Sequence, residues 1–126
     1  MLKSKALICV FSMLAACFLM ALTTPADAQQ WRPALGWSWD YNSKHAADAA
    51  ALGKCGSNCR VAVTFRNACG AIAVSNDRKW FGRWAPNSGQ AQSLAMSACR
   101  ANSHGGCYIP RWQCSGKGHG AIAIRR

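Results

Sequence analysis

The 126-residue chain has no glutamate, and its acidic side chains are four aspartates set against fifteen lysines and arginines, for a formal net charge of +11. The absence of Glu excludes a glutamate-dependent mechanism, an acidic disordered tail, and a coiled coil laced by Glu–Lys pairs. Two-carboxylate glycoside chemistry would have to use Asp40, Asp48 or Asp77, and their spacing gives no shared cleft. Large aliphatic residues are also scarce. Beyond residue 28 there are eleven Leu, Ile, Val or Met residues, against seventeen Ala and ten aromatics. Such a core is thin for a domain of this size, because small domains bury a limited share of their surface. The length allows one modest domain.

Residues 1–28 have the layout of an export signal. Lys3 and Lys5 precede an apolar run from Ala6 to Leu22, and Thr23 to Ala28 ends in a small-x-small pattern, which predicts cleavage after Ala28. The alternative is a lipid anchor at Cys17, from the lipobox-like Leu14-Ala15-Ala16-Cys17, although apolar Phe18–Leu22 stands where a polar tether is normal. The run falls short of the ~20 residues a membrane span needs, and no transmembrane span is expected in the mature chain, 29–126. Either route predicts a secreted or periplasmic domain.

Cysteine usage points to the same compartment. Beyond the leader there are six, Cys55, Cys59, Cys69, Cys99, Cys107 and Cys114. An even count in a small exported domain predicts a disulfide framework.

The mature chain reads twice. His45 to Cys55, Cys59-Arg60-Val61 and Gly70-Ala71-Ile72-Ala73-Val74 are matched in order by Gly89 to Cys99, Cys107-Tyr108-Ile109 and Gly120-Ala121-Ile122-Ala123-Ile124. The repeats run about 31–76 and 77–126. Positions 47, 50, 51 and 55, like 91, 94, 95 and 99, have the spacing of a helix face. Asn42-Ser43 and Asn87-Ser88 supply caps, so the helices are expected to start near 44 and 89. Alternation then puts Val61, Val63 and Phe65 on one face of a strand, with Arg60, Thr64 and Arg66 on the other. Pro110 predicts an edge or an interruption in the equivalent strand, where Arg111 replaces Val63. Aromatic segments Trp37–Tyr41 and Trp80–Trp84 form a strand before each helix. The predicted fold is α+β, with two pseudo-duplicated β-α-β-β units forming one sheet and two helices packed on it. Three bridges cannot divide evenly between two halves. Of the fifteen possible connectivities, the one expected joins Cys55 to Cys59, Cys99 to Cys107, and Cys69 to Cys114.

The doubled Ala-rich helix ending in Cys, the Cys-Arg-Val strand start, and Ala68-Cys69-Gly70-Ala71-Ile72-Ala73 resemble the exported bacterial family catalogued as domain of unknown function 4189. The resemblance spans roughly residues 31–126, with departures at Pro110, Arg111 and the Ser115–His119 insertion. It implies a small secreted or periplasmic domain and carries no established reaction, cofactor or catalytic residue.

Several chemistries can be weighed directly. Cys55-x3-Cys59, His104-x2-Cys107 and Cys114-x4-His119 could be drawn as zinc ligands, but paired disulfides account for the same cysteines, and no metal or other cofactor is expected. A small basic nuclease would have to use His45, His119 and Lys117. His45 belongs to the first turn of a helix, and His104 and His119 lie among glycines in loops, so no catalytic residue is assigned and the reading leans away from an enzyme. Paired cysteines leave no thiolate for a Cys-His nucleophile. Gly116, Gly118 and Gly120 do not form a phosphate loop.

Binding accounts for more of the sequence. The mature chain holds six Trp, and Trp31-Arg32, Lys79-Trp80, Arg83-Trp84 and Arg111-Trp112 place cations beside four of them. Rings next to Arg and Lys can stack on sugars or bases while the cations meet phosphate or uronate groups. Arg78, Lys79, Trp80, Arg83, Trp84, Arg111 and Trp112 are the candidate binding residues. Arg60 and Arg66, on the outer face of a strand, are read as solubilising. The expected function is non-catalytic binding of an anionic ligand or envelope polymer, with an acidic protein partner or an inhibitor role as the alternative.

Overall fold

Two short segments alternate small and large side chains, Ala71-Ile72-Ala73-Val74 and Ala121-Ile122-Ala123-Ile124. Successive side chains on a strand point to opposite faces. Each segment therefore has a face of alanines and a face of branched aliphatics, and both faces must be covered. The computed structural model, which describes residues 30–125, shows how. The expected export signal at 1–28 and the alternative lipidation site at Cys17 lie outside the described residues.

The elements are β1 (Leu35–Tyr41), α1 (Lys44–Cys55), β2 (Cys59–Arg66), β3 (Cys69–Ser75), β4 (Trp80–Ala85), α2 (Ser88–Asn102), β5 (Cys107–Cys114) and β6 (His119–Arg125). The helices begin where the caps predicted. The Ser43 side chain accepts from the Ala46 N–H, and the Asn87 side chain from the Gln90 N–H, each satisfying one amide that the first helical turn leaves without an intrahelical partner.

The strands form two antiparallel sheets, ordered β1-β6-β2 and β4-β3-β5. This corrects the expectation of a single sheet. A single sheet with helices on one face would leave Ile72, Val74, Ile122 and Ile124 facing water. The central strand of each sheet instead comes from the other half of the chain. Ala121 and Ala123 of β6 meet Ala47, Ala51 and Cys55 of α1. Ala71 and Ala73 of β3 meet Ala91, Ala95 and Cys99 of α2. Between the sheets, Ile72, Val74, Ile122 and Ile124 pack with Val63 and Phe65. The order of layers is helix, sheet, sheet, helix.

Most of the hydrophobic stabilisation lies in the middle layer, because a fully buried Val, Ile or Phe contributes about 1.5–3 kcal/mol and an alanine far less. The alanine layers serve close approach. A Cβ at Gly36 would run into the Ala51 carbonyl oxygen and lie 2.9 Å from the Cys55 Cα, so β1 lies tight under α1.

Two details of β2 and β5 differ from simple alternation. A register shift between Val61 and Val63 turns Val61 toward α1, while Val63 and Phe65 face the other sheet. Strand β5 runs through Pro110 as an edge strand, with a register shift opposite Ile72–Val74. An edge position tolerates the missing N–H. The three disulfides are Cys55–Cys59, Cys99–Cys107 and Cys69–Cys114, the expected pairing. The first two clip a helix end to the next strand, and the third links the central strand β3 to its neighbour β5.

Candidate functional site

Strands β2 and β6 end side by side, with Arg66 opposite His119, and Tyr41 of β1 on the other flank of His119. Partners in an antiparallel pair share a face, here the face bearing α1. The first residue of α1, Lys44, completes the cluster. Its Nζ lies 2.6 Å from Asp48 Oδ2, and the other carboxylate oxygen of Asp48 accepts from the Thr64 hydroxyl at 2.6 Å. Asp48 thus ties the helix to β2 while holding Lys44. For the helix itself this arrangement is poor, because a cation in the first turn opposes the helix dipole and Lys-before-Asp is the weaker i,i+4 order.

Lys44, Thr64, Phe65, Arg66, His119 and Trp84 line a pocket of about 280 Å³. Trp84, near the end of β4, is 59 % exposed. Among the described residues Arg66 makes no side-chain hydrogen bond or ion pair. The pocket can therefore offer a guanidinium, an imidazole and an aromatic face to one ligand, with the Lys44 ammonium shared with Asp48.

The loop that delivers His119 is pinned from below. Asp40, in the left-handed region at φ 61°, accepts from the Lys117 N–H at 3.0 Å and from the Ser115 hydroxyl at 3.2 Å. Asn67 exchanges hydrogen bonds with Gly118 at 2.7 and 2.9 Å. Donation by the Lys117 N–H, with Ser115 and Gly116 adding to it, holds the Asp40 carboxyl below the usual aspartate range.

The residues singled out in the sequence are dispersed. Arg78 and Lys79 lie in the β3–β4 turn, at the opposite end of β4 from Trp84, roughly 16–20 Å away at strand rise. Arg78 is exposed at φ 63°, and Lys79 Nζ donates to the Asn102 carbonyl at 3.0 Å and lies 3.8 Å from Asp77. Hydrogen bonds from the Ser75 hydroxyl and the His104 N–H hold Asp77 below its ordinary value. Trp80 packs on the inter-sheet core. Arg83 is exposed and donates to the Gly82 carbonyl at 2.7 Å.

Arg111 lies 3.7 Å from the centre of the Trp37 ring and donates to Gln113 Oε1 at 2.9 Å, while its Nε is buried without a partner. Burial pushes this guanidinium down from its ordinary value. By register, Arg111 stands opposite Ile72 as Val63 stands opposite Ile122. Val63 has Gly82 against it, whereas Arg111 has the Trp37 ring. Trp112 is 47 % exposed and stands opposite Ala71 in the pairing of β5 with β3.

Of the seven candidates, only Trp84 lines the cationic pocket. Sequence reasoning passed over Lys44, assigned Arg66 to solubility and left His119 in a glycine-rich loop. The available signal was that Thr64 and Arg66 share a face. It could not be read without knowing that β6, from the far end of the chain, pairs with β2. His45 is exposed in the first turn of α1, and Lys117 is exposed in the loop. Among the described residues no group of three His, Cys, Asp or Glu side chains is placed to hold a metal ion, and the six cysteines are all in disulfides.

A second depression lies on the other side of Trp84. It has a volume of about 720 Å³ and is lined by Trp84, Ala85, Pro86 and the exposed Leu94, with Gly89, Gln90, Ser93 and the cap residue Asn87. Trp84 is thus a wall shared by a cationic pocket and a predominantly apolar groove.

Comparison with known proteins adds relatives. The chain is 41 % identical over 81 residues to Protein Mb1300c of Mycobacterium bovis and to Protein Rv1269c of Mycobacterium tuberculosis, covering 64 % of this chain and 60 % of each relative. It therefore spans about three-fifths of the length of these relatives. No solved structure matches. Residues 24–114 match the family described as a domain of unknown function, DUF4189, and the chain belongs to that family.

Proposed function

We propose that residues 29–126 act as an exported, non-catalytic binding domain, built from two duplicated β-α-β-β units, that holds the anionic group of a ligand or envelope polymer in the pocket beside Trp84. The observation that carries this reading is the convergence of Lys44, Arg66 and His119 on one small cavity walled by an exposed indole. Lys44 is kept there at some expense to its own helix, and Arg66 has no other partner among the described residues. An anionic group would pair with Arg66 and share Lys44 with Asp48. Three disulfides fit an oxidising compartment outside the cytoplasm, and among the described residues no helix is long and apolar enough to cross a membrane.

The other sequence candidates take supporting places in this proposal. Arg83 is adjacent to Trp84 and raises the local positive potential. Arg78, Lys79 and Trp112 would meet an extended polymer beyond the pocket, and Trp80 and Arg111 would act through packing.

The test is calorimetric titration with a phosphorylated or uronate oligosaccharide and with a neutral one of equal length, at low and high salt. The charged oligomer is expected to bind, with affinity falling steeply as salt screens the contacts, and Arg66→Gln and Trp84→Ala are each expected to weaken it at least fivefold. Equal binding of the neutral oligomer, or no binding of the charged one at low salt, would refute the proposal.

A further inference from the structure

Building on the anion-binding reading, we infer that the ligand is an anionic lipid, with its phosphate headgroup in the Lys44–Arg66–His119 pocket and one acyl chain in the groove on the far side of Trp84. The two cavities share one wall, since Trp84 lines both. They differ in charge: the first is lined by Lys44, Arg66 and His119, whereas no charged side chain lines the second, whose apolar wall is Trp84, Ala85, Pro86 and Leu94.

The polar side chains on the lining of the second cavity are Asn87, Gln90 and Ser93, and Asn87 Oδ1 is committed to capping α2, accepting the Gln90 N–H at 2.9 Å. Gly89 contributes no side chain at all, and a Cβ there would meet nothing closer than Asn87 Oδ1 at 3.5 Å, so the floor is open. Leu94, 49 % exposed, and Trp84 show water an apolar surface that a hydrocarbon chain would cover. The volume, about 720 Å³, is in the range of small-molecule sites. Charge at one end and an apolar trough at the other match the polarity of an acylated phosphate, and the indole between them spans the chemical boundary, as Trp does at membrane interfaces.

The experiment titrates the purified mature domain with octyl, decyl and dodecyl phosphate below their critical micelle concentrations, with inorganic phosphate and dodecanol as controls, following tryptophan fluorescence and calorimetry. Affinity is expected to rise about two- to fourfold per added methylene, the range set by partial to full burial of each CH2. Leu94→Ser and Gly89→Leu are expected to flatten this chain-length dependence while leaving the salt dependence intact. Both positions are exposed, so the fold tolerates them. Arg66→Gln is expected to weaken all alkyl phosphates by a similar factor.

Affinity that stays salt-dependent but does not change with chain length overturns the lipid inference and leaves the anion-binding reading standing. Chain-length dependence shared equally by dodecanol, with no salt dependence, refutes both. No binding by any phosphate at low salt also refutes both.

Discussion

The three disulfides close loops of very different size, so their contributions to stability are expected to differ in a fixed order. Cys69–Cys114 spans 45 residues, Cys99–Cys107 spans 8 and Cys55–Cys59 spans 4. Restricting the unfolded chain by loops of these sizes corresponds to about 4, 2.5 and 2 kcal/mol respectively. The packing loss on replacing cysteine by alanine is similar across the pairs, because each contains one buried member, Cys69, Cys99 or Cys55. Loop length should therefore set the ranking.

The double variant Cys69→Ala with Cys114→Ala is expected to lose about 1.5–2 kcal/mol more stability than either helix clip. For a folded unit of this size its full loss of about 4 kcal/mol corresponds to a fall in Tm on the order of 20 °C. The three paired-alanine variants would be compared by urea denaturation under non-reducing conditions, with the reduced wild type as the fourth sample. If the 69/114 variant loses no more than the 55/59 variant, loop closure does not govern this framework and the reasoning fails.

Other outcomes follow from the packing and the site. Gly36→Ala is expected to destabilise by at least 1–3 kcal/mol, because the new methyl group meets the backbone of α1; unchanged denaturation midpoints would show that α1 can lift off β1. Phe65→Ala is expected to cost about 3–5 kcal/mol, since this ring, 2 % exposed, lies against Gly70 and Gly120 between the sheets; a loss under 1 kcal/mol would contradict that placement. Asp40 has a folded-state pKa below its unfolded value, so its contribution is present above the unfolded value and is lost as pH falls through the folded one. A carbon-detected NMR titration should give an Asp40 midpoint below that of an unstructured peptide. Asp40→Asn, which tolerates the same left-handed backbone, should remove this acid-sensitive part; a midpoint at or above the peptide value would rule out the Lys117 and Ser115 hydrogen bonds.

Much of the local structure is legible from the chain. Asn42-Ser43 and Asn87-Ser88 mark both helix starts because a capping side chain acts on amides only two or three residues away. The alanines at 47, 51, 91 and 95 mark the buried helix stripes because helix periodicity is local. The cysteine pairing followed from the order of repeated segments and from the short separation of the clips. The bulge at Val61–Val63 was not legible, since nothing in Val-Ala-Val distinguishes regular alternation from a strand that inserts a residue to keep Val61 on α1 and Val63 on the opposite sheet.

The sequence by itself determined that the chain is strongly cationic and without glutamate, that the six cysteines beyond residue 28 can all pair, and that two α+β segments carry alternating small and large residues. These properties depend on composition and near-neighbour spacing. Tertiary structure alone decided that β3 and β6 exchange places between two sheets, because a strand apolar on both faces is stable only between two layers, and nothing local says which strands flank it. That exchange brings His119 beside Arg66, and sheet stacking brings Trp84 to the same pocket. The cations that converge on one cavity were therefore not the ones standing next to tryptophan in the chain.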